Sequence, residues 1–177
     1  MQGKIGKSAL QKSKDMPDGK RIAGFIDLLR DKDGLRRQKA RFSLEKIGKE
    51  ATPFLIGALS DRIEHCRWEA AKTLISIKDP QAAPALVEAL MDKSFEIQWL
   101  AAEALIALRT VSVPPLLKAL IEHSDSADLQ QGAHHVLHAL ERERLLDERT
   151  VKVLDALRSL DADVWVITAA QKALKNR

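Results

Sequence analysis

Tyrosine is absent from this chain of 177 residues, cysteine occurs once, and there are only eight glycines and six prolines. The single cysteine, Cys66, excludes an intrachain disulfide and a cysteine-based zinc site within one chain. No run of about 18 uncharged apolar residues occurs, so no membrane-spanning helix is expected. The amino-terminal stretch MQGKIGKSALQKSKDMPDGKR has no continuous apolar core of a leader peptide, and a cytoplasmic protein is the expectation. Glycine-rich phosphate loops, nucleophile elbows and Ser-His-Asp arrangements are also missing. These absences point away from catalysis and leave a non-enzymatic role.

What remains is helix-forming. Hydrophobic residues make up 45% and charged residues 31% of the chain, dominated by Ala, Leu, Glu, Lys and Arg, and no β element is read. The net charge of +4 is uneven: residues 1–50 hold 14 basic and 7 acidic groups, whereas residues 51–177 hold 15 and 18. Residues 1–18 are lysine-rich and lack helical periodicity, which predicts a flexible basic tail ahead of one repeat domain over 19–177.

The centre of the chain is a tandem repeat. Trp68 stands two residues before Ala70 and Ala71, with Leu74 following, and the same order returns as Trp99, Ala101, Ala102 and Leu105. Helical periodicity predicts segments over 20–30, 35–47, 64–77, 80–91, 95–108 and 112–122, with a partner helix opening at Thr52 and Pro53. Gly48 suits a helix end, and Pro53 suits a first turn, whose amides have no intrahelical partner to lose.

Two leucine ladders agree in period. Leu44, Leu74, Leu105, Leu137 and Leu174 are separated by 30, 31, 32 and 37 residues, and Leu29, Leu59, Leu90, Leu120 and Leu157 by 30, 31, 30 and 37. A hairpin of about 30 residues buries too little apolar surface to offset its chain entropy, so each pair must stack on the next. The expectation is an all-α fold, a right-handed α-solenoid of about five helical pairs with a convex and a concave layer.

The units CRWEAAKTL (66–74) and IQWLAAEAL (97–105), each with a proline-bearing partner helix, resemble HEAT repeats of the phycobilisome-lyase type. The resemblance spans roughly residues 20–177 and implies a scaffold or adaptor that binds another protein. One enzyme built on such repeats, deoxyhypusine hydroxylase, places His-Glu pairs just ahead of the paired alanines to hold iron. The matching positions here are Trp68-Glu69, Trp99-Leu100 and Gln131-Gly132, and no His-Glu dipeptide occurs, so that chemistry is excluded.

Three groups of side chains remain as candidates. Trp68 and Trp99, with Arg67 and Gln98 beside them, form a row flanked by Gln38 and Gln131 that could anchor a protein partner, as could the concave layer of partner helices. Lys20, Arg21, Arg36, Arg37, Lys39 and Arg41 form a basic patch, which motivates nucleic-acid binding as the alternative function. His134, His138 and Glu141 share a helical face, the nearest approach to metal-ligand spacing, but zinc would need a further ligand and no metal or cofactor is expected. Cys66 aligns with Ile97 and reads as a small buried apolar residue; Trp165, off the register, is expected to help close the carboxyl-terminal end.

Overall fold

The computed structural model describes residues 18–159 and 162–175. The expected tail lies outside these residues except for Asp18, which opens the first helix. Among the described residues the structure is all α: α1 (Asp18–Leu28), α2 (Gly34–Ile47), α3 (Thr52–Ala58), α4 (Glu64–Ile77), α5 (Ala83–Glu88), α6 (Phe95–Ala107), α7 (Val113–Glu122), α8 (Ala127–Arg142), α9 (Glu148–Leu157) and α10 (Ala162–Leu174).

Local chemistry sets these boundaries. The Asp33 carboxylate accepts the Leu35 amide at 2.9 Å, Ser126 Oγ accepts the Leu129 amide at 3.2 Å, and Asp147 accepts the Thr150 amide at 2.8 Å, satisfying first-turn donors of α2, α8 and α9. Gly48 ends α2 with φ at 79°, a conformation open to glycine at little cost. Short 3-10 turns at Gly48–Ala51, Pro80–Ala82 and Arg109–Ser112 bend the chain into the partner helices, each of which carries a proline in its first turn.

The helices pack as a stacked array, an all-α solenoid. In one layer α2, α4 and α6 lie side by side with α8; in the other α1 packs on α3 and α5 on α7. Ala40, Ala70, Ala101 and Ala133 are essentially inaccessible, which lets neighbouring first helices approach closely. Leu44, Leu74, Leu105 and Leu137 fill the seam between layers from one side and Leu29, Leu59, Leu90 and Leu120 from the other, all buried. Full burial of each such side chain contributes about 1.5–3 kcal/mol, so the seam holds the stack. The buried apolar residues form one continuous cluster from Ile22 to Ala173.

At the carboxyl end the order changes. The leucine ladders place Leu157 with the partner helices and Leu174 with the first helices, but α10, not α9, packs on α7, while α9 packs on α8 and α10. The last two helices have exchanged layers, and Leu157 and Leu174 are only half-buried. Val166, Ala170 and Ala173 seal this end, whereas Trp165, expected to do so, is 59% exposed. The connection into α9 also differs: Arg144 at φ 58° repeats the positive φ of Gly48, Lys78 and Arg109, but α9 opens from the Asp147 cap with neither the 3-10 turn nor the first-turn proline of α3, α5 and α7.

Candidate functional site

Each turn between repeats is built on the same hydrogen-bonded plan. Asp31, Asp61 and Asp92 each accept the amide two residues ahead, at 2.9, 2.8 and 2.9 Å. From the first turn of the following helix, the side chain six residues beyond reaches back to the backbone carbonyl of the turn. Arg37 donates to Asp31 O at 3.0 Å, Arg67 to Asp61 O at 3.0 Å, Gln98 to Asp92 O at 2.6 Å and Gln130 to Ser124 O at 2.5 Å.

This plan engages Arg67 and Gln98, the expected companions of the tryptophans at a partner surface. Arg67 is buried and spends its remaining donors on Asp92. Gln98 is half-buried with its amide committed to the turn. Both stabilise the repeat junction; Arg67 is buried there, whereas Gln98 still lines the groove beside Trp99.

The two tryptophans differ as well. They occupy equivalent places on α4 and α6, yet their rings do not stack on one another. Trp68 is half-buried under its own helix, with the Lys72 ammonium 4.5 Å from the ring centre. Trp99 is 48% exposed and its ring centre lies 4.7 Å from that of His135 on α8. One turn earlier on α6, Phe95 is 64% exposed. Trp99, Phe95, Ala102 and Gly132 line a shallow groove of about 100 Å³ between α6 and α8, with Gln131 and Asp128 on its α8 side. His135 also reaches Glu103 at 3.3 Å, which holds the imidazole across the groove. Gln38, at the other end of the row, is exposed on α2.

The basic residues at the amino-terminal end do not converge. Arg41 bonds Glu69 at 3.1 Å and Glu45 at 2.7 Å, and Arg37 stands 3.5 Å from Glu69. Arg36 pairs with Asp31 at 3.2 Å and Arg21 with Asp18 at 3.2 Å. Only Lys20 and Lys39 of the six stand exposed without a carboxylate partner among the described residues. The arginines stitch α2 to α4 and to their own turns.

The histidine face is organised around a cation. His134 and His138 stack with ring centres 5.8 Å apart, but the Arg158 guanidinium from beyond α9 donates to His134 Nε2 at 3.4 Å and lies 3.6 Å from Glu141. The Nε2 lone pair of His134 is occupied, and a positive charge sits beside it. Burial, with further repulsion from Arg158 and the neighbouring histidines, holds the His134 imidazole below the ordinary histidine range. Among the described residues no group of three or more His, Cys, Asp or Glu is placed to hold a metal ion. Cys66 is buried, and burial pushes its thiol up to about 12, the behaviour of a packing residue.

The sequence reading missed a second concave surface. Between α9 and α10 lies a groove of about 670 Å³ lined by Trp165, Ala156 and Ala169 and flanked by Lys152 and Lys172. Its signal was present as one face of α9 (149, 152, 156) and one face of α10 (165, 168, 169, 172), but a segment-wide charge count hides it.

Against this geometry the comparisons with known proteins can be set. A family model described as HEAT repeats matches residues 22–106 and again 67–138. No curated protein matches. Among solved structures, two crystal structures of engineered proteins from the Northeast Structural Genomics Consortium are similar at 22% identity each. One alignment covers 90% of this chain and 78% of the other with a TM-score of 0.41; the second covers 90% and 48% with a TM-score of 0.43. None of the helices is long and apolar enough to cross a membrane, among the described residues.

Proposed function

From the premise that this chain belongs to the HEAT-repeat family, whose stacked helices commonly serve as protein-interaction scaffolds, we propose that it is a non-enzymatic binding module. It engages a protein partner through the first-helix layer at α6 and α8. The observation that carries this reading is the pair Phe95 and Trp99, 64% and 48% exposed on successive turns of one helix. The core has no use for two such aromatics on its outer face, whereas large aromatics with one side against the protein and one side open are the usual anchors of protein interfaces. The groove beside them gives a partner side chain a place to insert, and Gln131 and Asp128 give it polar neighbours at the rim.

Trp68 serves a different purpose: with Lys72 over its ring and its flank half-buried, it seals the α4 surface. The test is therefore differential. Partner recovery by the immobilised protein should be lost on Trp99→Ala combined with Phe95→Ala, with helicity unchanged by circular dichroism. Recovery undiminished by that pair of substitutions would rule out the α6–α8 surface.

A further inference from the structure

The exchange of layers by the last two helices creates a surface that no earlier repeat has. Elsewhere in the array the seam between the helices of a pair is filled by the leucine ladders. At the end, α9 and α10 turn a small-residue face outward, with Ala156 on one side and Ala169 on the other, and the space above them is a concavity of about 670 Å³. Trp165 forms one wall and is 59% exposed. Lys152 on α9 and Lys172 on α10 stand on opposite rims, both exposed and neither in an ion pair among the described residues. Arg149 and Lys175 also line it, and among the described lining residues none is a carboxylate.

We infer that this groove is a docking site for an acidic amphipathic segment of a partner protein, seated as a helix between α9 and α10. The floor and the rims call for different things from one ligand. Alanines and an indole accept an apolar stripe, because small residues allow a guest helix to approach closely and the indole supplies contact area at little entropic cost. Cations on both rims attract carboxylates flanking such a stripe and repel a basic helix, so charge selects both the class of guest and its seating. A single-stranded nucleic acid would meet phosphate-seeking lysines but only one aromatic ring, whereas stacking sites on such strands supply aromatics to successive bases. The surface lies on α9 and α10, away from Phe95 and Trp99, and its occupation does not depend on theirs.

The probe for the test is a fluorescein-labelled 14-residue peptide with leucines at i, i+3, i+4 and i+7 spacing and glutamates elsewhere, titrated with the full chain at low salt by anisotropy. A lysine-for-glutamate version of the peptide and a single-stranded oligonucleotide of similar length serve as comparisons. Lys152→Glu with Lys172→Glu should weaken the acidic peptide by about tenfold or more, and Trp165→Ala should weaken it without changing its salt dependence. Lys20→Glu with Lys39→Glu, at the far end of the array, should leave it unchanged. All four lysines and Trp165 are exposed, and circular dichroism of each variant checks that the helices persist. The proposal fails if the acidic peptide does not bind, if the lysine peptide binds as well, or if the groove variants bind like the parent. It also fails if the oligonucleotide binds tighter and displaces the peptide, which would reassign the groove to nucleic acid.

Discussion

Arg67 grips Asp92 across a repeat junction through two bonds, Nε to Oδ2 at 2.6 Å and Nη2 to Oδ1 at 2.9 Å, with only 6% and 10% of the two side chains exposed. The same guanidinium bonds the Asp61 carbonyl, so one side chain ties its own turn to the next one along the stack. Truncation would leave a buried carboxylate without its partner, and Arg67→Ala should lower the stability by about 3 kcal/mol. Arg67→Gln should recover part of that loss, since glutamine serves the carbonyl at the equivalent places Gln98 and Gln130. Urea unfolding measures both, and the double variant with Asp92→Ala should lose less than the two single losses added together. A loss under about 0.5 kcal/mol for Arg67→Ala would return Arg67 to the surface.

His134 makes the fold sensitive to mild acid. Its imidazole, partly desolvated and beside Arg158, titrates below the ordinary value near 6.5, so beneath that pH the unfolded chain binds more protons than the folded one. The contribution is therefore fully present above about pH 6.5 and is lost as the pH falls from there through the depressed folded-state value. Urea midpoints at pH 7.5 and 5.5 should differ more for the parent than for His134→Gln. Asp61 does not contribute in this window: burial opposes its ionisation, but bonds from the Ile63 amide and Arg30 hold it below the usual carboxylate range. An equal pH dependence in parent and variant would show that His134 titrates as it does in the unfolded chain.

Cys66 should be silent to thiol reagents while the protein is folded. Its thiol is buried and held near 12, so at pH 8 the thiolate fraction is far below that of an exposed cysteine. Labelling of the native protein should be at least about a hundredfold slower than in concentrated urea, where one equivalent reacts. Rapid native labelling would mean that α4 opens locally at its first turn.

Which parts of this molecule could be read in advance follows from what periodicity encodes. A leucine recurring at the helical and repeat spacings announces that a face is buried, and Leu44, Leu74, Leu105 and Leu137 are buried where the ladder puts them. It does not say which neighbour does the burying, and so Leu157 and Leu174 continued the pattern while α9 and α10 traded places. Arg67, read together with Gln98 as a surface residue, is buried for a related reason. Adjacency to Trp68 and Trp99 suggested a shared surface, although residues next to each other on a helix point about 100° apart. Their spacing of six from Asp61 and Asp92 carried the structural meaning. The groove at α9 and α10 went unseen because averaging charge over a segment discards the face on which each charge stands. Trp99 alone was both legible and available, being a large aromatic at a position where the previous repeat covers its own with a lysine.

The contrast between Gly132 and Gly57 tests how tightly the stack is packed. Both lie in helices, where replacing glycine by alanine relieves about 1 kcal/mol of backbone entropy. At Gly57 a methyl group would meet nothing within 4 Å, so Gly57→Ala should stabilise by about 0.5–1 kcal/mol. At Gly132 the same methyl would fall 2.9 Å from Leu90 Cδ2 and 3.2 Å from its Cβ and Cδ1. Leu90 is fully buried in the seam and has no open side to move toward. Overpacking of this kind costs about 1–3 kcal/mol, which outweighs the entropic gain, and Gly132→Ala should destabilise by about 1 kcal/mol. Shortening the obstacle should reverse the sign: in a Leu90→Ala background the added methyl refills part of the cavity, and Gly132→Ala becomes neutral or stabilising. Thermal unfolding of the four proteins decides it. A Gly132→Ala variant as stable as Gly57→Ala would mean that α8 shifts freely against Leu90. The close approach of α8 would then follow from the connections at its ends, with Leu90 and Gly132 making no contribution to it.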